Sequence, residues 1–297
     1  VSGIDKSPEL DNCNRFPPVA RRCIPVLLQT NVIRKAGLHM INRVFCLCAV
    51  FVFAAVVLPS NISAENVPFF PGESLTYHLK WGVVPAGKVT FKVLPMTEVD
   101  GEEAYHFVMT ARTNPFVDAV YKVRDRIDGF AAADFSRSLY YRKKQQEGGS
   151  TRDIKVVFDW ESMTSQYTNY DRTRTPVAIE PGTFDPLSVM YAFRCIDTDE
   201  TTDHEFLVTD GKRCESGRLD SVEKTRLMTR DGKVTAWLLE PDVSKVGGVF
   251  RKSKDAKLRI WLSDDEYRVP LRFSSKVAVG SFHGVLVKHV PGQDDSD

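Results

Sequence analysis

The sequence lacks the signatures by which a catalytic or cofactor site is usually read. No serine sits in the glycine-flanked elbow of a hydrolase: Ser188 lies in Leu-Ser-Val, where a helix-surface or capping role fits better. Gly148-Gly149 and Gly247-Gly248 are not followed by Lys-Ser/Thr, so there is no phosphate loop. There is no Cys-x-x-Cys. His78, His106, His204, His283 and His289 stand at no metal spacing and fall mostly on the polar phase of strands. No metal and no cofactor are expected. Charge of one sign is missing too, since 40 Lys and Arg balance 39 Asp and Glu for a net charge of +1. A nucleic-acid partner needs a concentrated basic face, so none is expected. The overall charge likewise gives no reason to expect binding to anionic headgroups. There is no repeat, no low-complexity segment and no composition shift to mark an internal boundary. No apolar run reaches the roughly 20 residues of a membrane span.

The longest apolar run, Val44 to Leu58, has a specific context. It follows Met40-Ile-Asn-Arg43, is broken by Pro59-Ser60, and is succeeded by Ile62-Ser63-Ala64. A charged start, a short apolar stretch and a small-residue exit make residues 40–64 a cleavable signal peptide, cut near Ala64. Cys46 and Cys48 lie near the front of the run and not behind it, which argues against a lipobox. Residues 1–39 carry no periodic apolar pattern. They are expected to be a disordered upstream extension, or not to be made. The working protein is then residues 65–297, a single exported, β-rich domain in the periplasm with no transmembrane anchor after cleavage. It keeps Cys195 and Cys214. A pair in an oxidising compartment predicts one disulfide, with two free thiols as the alternative.

What fills residues 65–297 is alternation of period two, the mark of strands with one buried face. Leu75, Tyr77, Leu79 and Trp81 alternate with polar residues, as do Val89, Phe91 and Val93, and then Tyr105, Phe107 and Met109. Gly82 to Gly87 reads as a turn region, and Asp100-Gly101, Gly148-Gly149 and Asp231-Gly232 as hairpin signals. After Asn114-Pro115 the chain reads as a short irregular or helical piece running into a strand. The last two strands are expected to join around Ser274-Ser275. One segment breaks the pattern: Asp185 is a good helix N-cap and Pro186 suits the first helical position, so a helix is predicted near 185–195. About a dozen strands and one clear helix make the fold mainly β, a curved antiparallel sheet forming a barrel or half-barrel. A transmembrane barrel fits less well, because several strands are short and a helix interrupts them.

Phe70-Pro-Gly-Glu-Ser-Leu-Thr-Tyr77 and Trp81-Gly-Val-Val-Pro-Ala-Gly87 open the pattern. It continues with Asp185-Pro-Leu-Ser-Val-Met-Tyr-Ala-Phe-Arg194, Ile260-Trp-Leu-Ser-Asp-Asp265, Arg268-Val-Pro270 and Val279-Gly-Ser281. In this order and spacing the segments resemble a bacterial exported family, domain of unknown function 3108, which has no settled activity to carry over. The pattern is also distantly similar to periplasmic carriers of lipids and lipoproteins, in which a curved sheet wraps a helix. That likeness implies a fold more than a function.

Asp264, Asp265 and Glu266 form the densest acidic cluster. Neighbours on a strand point to opposite faces, so a solvated turn explains them better than a catalytic pair. Asp265 with Arg194 is an alternative, a buried ion pair fixing helix to sheet. Tyr77, Trp81, Phe91, Phe184, Tyr191 and Trp261 are the candidate lining of a ligand cavity; Phe107, Phe158, Trp160 and Trp237 belong to the same aromatic set. Simple core filling is the competing account of most of them. A sheet of this many strands can enclose more space than one helix fills. The leading expectation is therefore a non-catalytic periplasmic protein that binds a lipophilic ligand or an acylated envelope partner, a lipid or a lipoprotein. A protein-interaction module with a filled core and a functional edge or loop is the first alternative, and an unrecognised envelope hydrolase the second.

Overall fold

Alternating apolar residues build one sheet from nearly the whole described chain. The computed structural model describes residues 67–196, 204–230, 232–242, 257–277 and 280–293. The expectations for residues 1–39 and 40–64, and for the Gly247-Gly248 loop, fall outside them. The strands are β1 (Ser74–Trp81), β2 (Val84–Val99), β3 (Glu102–Thr113), β4 (Arg124–Ala132), β5 (Ser138–Glu147), β6 (Ser150–Asp159), β7 (Thr164–Asn169) and β8 (Arg172–Thr173). They continue with β9 (Val177–Ala178), β10 (Thr183–Phe184), β11 (Glu205–Thr209), β12 (Cys214–Thr229), β13 (Gly232–Pro241), β14 (Lys257–Ser263), β15 (Pro270–Val277) and β16 (Gly280–Val290).

The order across the sheet is β10-β11-β12-β13-β14-β15-β16-β1-β2-β3-β4-β5-β6-β7-β8, with β9 also on β7. Among the described residues only the short β10–β11 pair is parallel. Two meanders, β1 to β8 and β11 to β16, are therefore joined side by side through β1 and β16. The hydrogen-bonded sheet is open, as the half-barrel reading allows. Its two margins nevertheless meet through side chains: Ser165 Oγ of β7 lies 3.3 Å from Thr209 Oγ1 of β11, both buried. Gly211, at φ +77°, makes this approach possible, because a Cβ there would stand 2.9 Å from Val156 Cγ2. The chain itself also crosses the seam, since β9 pairs with β7 and β10 with β11.

Register explains the inner surface. Val93, Phe107, Gly129, Tyr141, Val156 and Tyr167 stand in one row across β2 to β7. The glycine is a gap among large side chains, and the helical segment enters there. Asp185 and Ser188 sit over it, with Asp185 Oδ1 only 3.0 Å from where a Gly129 Cβ would be. The segment forms α2 (Ser188–Ala192) and a 3-10 turn, Phe193–Cys195, within the predicted span. It starts later than expected, with Leu187 at the N-cap and Pro186 ahead of the helix, but Asp185 still serves the first turn: its Oδ1 accepts from Leu187 N at 2.7 Å and Ser188 N at 3.0 Å. Tyr191 then stacks on Phe107 with ring centroids 3.9 Å apart. An earlier helix, α1 (Pro115–Asp118), is the helical piece expected after Asn114-Pro115.

Two turn expectations are corrected. Ser274 and Ser275 lie inside β15, paired with His283 and Phe282, and the pairing of the two strands runs on to Val277 and Gly280. β2 starts at Val84, so the turn after Trp81 is shorter than Gly82 to Gly87. The hairpins at 81–84, 147–150 and 277–280 share one end of the sheet with the 114–123 loop; those at 99–102 and 229–232 and the 264–269 turn share the other.

Candidate functional site

The interior is closed around a buried charge. Arg194 donates to Glu73 Oε2 at 2.6 Å and Oε1 at 2.9 Å, and to the carbonyls of Pro68 at 2.7 Å and Tyr267 at 2.8 Å. The ion pair expected between Arg194 and Asp265 is thus corrected to Arg194 with Glu73. Asp265 Oδ1 is committed to its own turn, accepting from Ser263 Oγ, Tyr267 N and Arg268 N. That turn presents the Tyr267 carbonyl to Arg194, so Asp265 acts on the arginine at one remove. Asp264 accepts from Trp237 Nε1 at 2.7 Å and pairs with Lys224 at 2.8 Å. The acidic cluster is a turn, with no convergence of its carboxylates.

Of the candidate lining residues the structure brings three together. Tyr77, Phe91 and Tyr191 border a cavity with Leu75, Met190 and Ile260, next to Arg194. It measures about 30 Å³, the share of one water molecule in the liquid, whereas pockets for small organic ligands hold about 300–1,000 Å³. Phe184 lies in the packed core, its ring 5.3 Å from that of Phe135. Trp261 turns away from the inward Ile260 and Leu262 and lies under the Arg272 guanidinium, 5.9 Å from it. Trp81 is half exposed at the end of β1. Aromatic edge contacts among Phe69, Tyr105, Phe107 and Phe135 occupy the space that was expected to be a cavity.

Cys195 and Cys214 are free thiols, which corrects the expected disulfide. Their partners keep them apart: the Cys195 thiol contacts Tyr191 O at 3.7 Å on the helical segment, while Cys214 Sγ lies 3.7 Å from Thr183 Oγ1 at the seam. Ser188 is the buried first residue of α2 and its hydroxyl donates to Asp185 Oδ2, so it is neither the surface residue nor the cap that the sequence suggests.

Apolar surface is instead displayed at one end of the sheet. Val83 is 90% exposed in the β1–β2 hairpin, and Phe116 75% and Val120 88% in the α1 loop, with Trp81, Val84 and Tyr121 beside them. The loops are held as one body. Asn114 Nδ2 donates to Pro85 O at 2.6 Å and Asn114 N to Ala86 O at 3.0 Å. Gly148 N donates to Lys122 O at 2.8 Å, and the Tyr121 ring covers Gly148 closely enough that a Cβ would lie 3.0 Å from it. Asn114 Oδ1 also caps α1, accepting from Val117 N at 2.9 Å.

Next to these loops runs a groove of about 520 Å³ over β3 to β6, bordered by Arg112, Arg124, Arg126, Lys144 and Arg152 as well as Asp125 and Asp153. Its acids are already engaged. The hydrogen bond from Arg124, followed by that from Thr113, holds Asp118 below the usual carboxylate range. Arg142 does the same for Asp153. Burial works against ionising the neighbouring Asp128, but hydrogen bonds from His106 and Arg126 outweigh it and draw it down to about 2. Asp125 is pushed up by burial, against the pull of Lys143 3.8 Å away. Arg112, Lys144 and Arg152 have no salt-bridge partner among the described residues. Sequence reasoning missed this groove because its cations come from four separate strands and vanish in a balanced total. The available signal was the pair of flanks: Lys80 and Lys88 around Trp81 to Val84, and Arg112 and Lys122 around Phe116 to Tyr121.

The chain is similar in structure to a beta-barrel-like protein of domain of unknown function DUF1849 from Brucella abortus, with a TM-score of 0.52 and 11% identity over 76% of this chain and 100% of that chain. A hypothetical protein from Chlamydia trachomatis gives a TM-score of 0.33 and 11% identity over 80% of this chain and 95% of that one. Likeness at such identity concerns the fold alone. Among curated proteins none matches the chain. Residues 76–287, running from β1 into β16, match the family described as protein of unknown function DUF3108, and the chain belongs to that family.

Proposed function

We propose that this is an exported, non-catalytic binding protein for a lipophilic or acylated envelope partner, and that it engages this partner with the loop end of its sheet. The observation that carries the reading is a contrast between inside and outside. The cavity to which Tyr77, Phe91 and Tyr191 contribute has room for about one water, while Val83, Phe116 and Val120 stand in solvent on loops fixed to each other by Asn114. Rigid, exposed apolar groups on a soluble chain mark interaction sites. The filled core favours the interaction-module alternative over a carrier that swallows its ligand. The segment 40–64 supports export to the periplasm. The commitment of Asp264 and Asp265 to their turn speaks against the hydrolase.

A photo-crosslinking amino acid placed at position 83 or 120 in cells tests this. Adducts at these positions and none at Met228, which is exposed beside the turn at the other end, are expected. Equal labelling at all three, or none at 83 and 120, sinks the proposal. So does a lipid that co-purifies with the protein and survives substitution of Val83, Phe116 and Val120 by serine, since that lipid would be held inside.

A further inference from the structure

We infer that the loop end docks on an anionic bilayer surface, the tips at Trp81 to Val84 and Phe116 to Tyr121 entering the headgroup layer while the adjoining groove takes lipid phosphates. This rests on the proposed function and names its partner. Charge complementarity decides the occupant. A protein partner for an apolar tip is commonly apolar at its centre, with charges of both signs at the rim. Here basic groups outnumber acids at the rim: Lys80 and Lys88 flank the first loop, Arg112 and Lys122 the second, and Lys144 and Arg152 extend the row along the groove, while Glu147, an acid beside Asp125, stands in the neighbouring hairpin. The nearby carboxylates of Asp118, Asp128 and Asp153 are spent on Arg124, Arg126 and Arg142, at 2.5, 2.6 and 2.8 Å. Aromatic and aliphatic tips ringed by Lys and Arg are the composition that an interfacial anchor needs, with apolar groups at the acyl boundary and cations at the phosphates. The groove, at about 520 Å³, falls in the range of sites that take small molecules and lies on the same body as the tips.

The test uses the full chain with an environment-sensitive fluorescent amino acid at position 83, 120 or 228. The probes are vesicles of phosphatidylethanolamine with phosphatidylglycerol, and vesicles of phosphatidylcholine alone. Because the readout is local to the labelled position, binding by another part of the chain does not imitate it. The expected result is a blue shift at 83 and 120 on anionic vesicles only, with none at 228. Replacing Arg112, Lys144 and Arg152 together by serine weakens vesicle binding at low salt by on the order of a hundredfold. No shift at 83 and 120, an equal shift on both vesicles, or unchanged affinity in the triple variant overturns the inference. Failure here is separable from failure of the proposed function. Protein adducts from the crosslinker at 83 and 120, with no shift on vesicles, keep the loop end as the binding site and remove the bilayer as its partner.

Discussion

The Arg194 guanidinium clasps the Glu73 carboxylate through two hydrogen bonds, 2.6 and 2.9 Å long, across 121 residues of sequence. Both side chains are almost wholly buried. The pair ties the end of the internal helix to the start of β1; carbonyls of Pro68 and Tyr267 also accept from Arg194 Nη2, while its buried Nε has no partner among the described residues. Removing one partner strands the other charge in the core. Arg194→Met or Glu73→Gln alone is expected to cost roughly 3–5 kcal/mol in urea denaturation. The double variant is expected to lose much less than the sum, and additive losses would show that the pair is not coupled.

Two buried tyrosines that border the same cavity should behave oppositely. Tyr77 donates to Pro270 O at 2.6 Å, whereas the Tyr191 hydroxyl has no hydrogen-bond partner among the described residues. Tyr77→Phe is expected to lose about 1 kcal/mol, while Tyr191→Phe leaves stability unchanged or raises it. Chemical denaturation of the two single variants measures the contrast. Equal losses would contradict the assigned partners.

Acid stability should depend on Asp128. Its folded-state value of about 2 lies below the model-peptide value of 3.8. A depressed carboxylate contributes stability that is present above its unfolded value and is lost as pH falls through its folded value. The window therefore runs from about pH 4 down to about pH 2, and the contribution is on the order of 2 kcal/mol. Asp128→Asn should flatten that part of the stability curve. A parallel downward shift at every pH would mean that the residue acts by packing alone.

The entry point of the helix leaves little room for an added atom. A methyl group on Gly129 would press on both carboxylate oxygens of Asp185, at 3.0 and 3.2 Å, and on Ser188 Oγ at 3.2 Å. Asp185 cannot retreat without giving up Leu187 N, Ser188 N and the Ser138 hydroxyl. Gly129→Ala should destabilise by roughly 1–3 kcal/mol, and Asp185→Ala by a comparable amount through loss of its bonds to the first turn. Combining them should cost less than the sum, as measured by thermal unfolding.

Thiol chemistry gives a simple check. Alkylation in denaturant without reductant, followed by peptide mapping, should modify both Cys195 and Cys214. Recovery of the two peptides as one linked species would restore the disulfide.

The strands were legible because burial on one face leaves its period in the sequence: Leu75, Tyr77, Val89, Phe91 and Phe107 all face inward as the alternation requires. Asp185 and Pro186 announced the helix by local chemistry. What could not be read was pairing across the sheet. Glu73 and Asp265 are both acids near turns, and only the strand order puts Glu73 against Arg194. The inward Gly129, which admits the helix, looks in sequence like any strand glycine. Trp81 and Trp261 carry the same composition as the core aromatics, yet one ends a strand and the other faces away from Ile260. The basic groove gathers Arg112, Arg126, Lys144 and Arg152 from four strands, and no linear window contains them.

The lateral pairing of β1 with β16 sets a condition on biosynthesis. Ser74 lies opposite Val290, so the first strand of the sheet waits for the last before its free side is covered. Until then both meanders carry a raw hydrogen-bonding edge. Such long-range closure is slow and leaves intermediates prone to aggregate. A ribosome stalled shortly before Gly280, or a nonsense codon there, would release a chain in which every other strand can form and the sheet is still in two halves. Closure of this sheet thus waits on β16, an eleven-residue strand that acts as its latch.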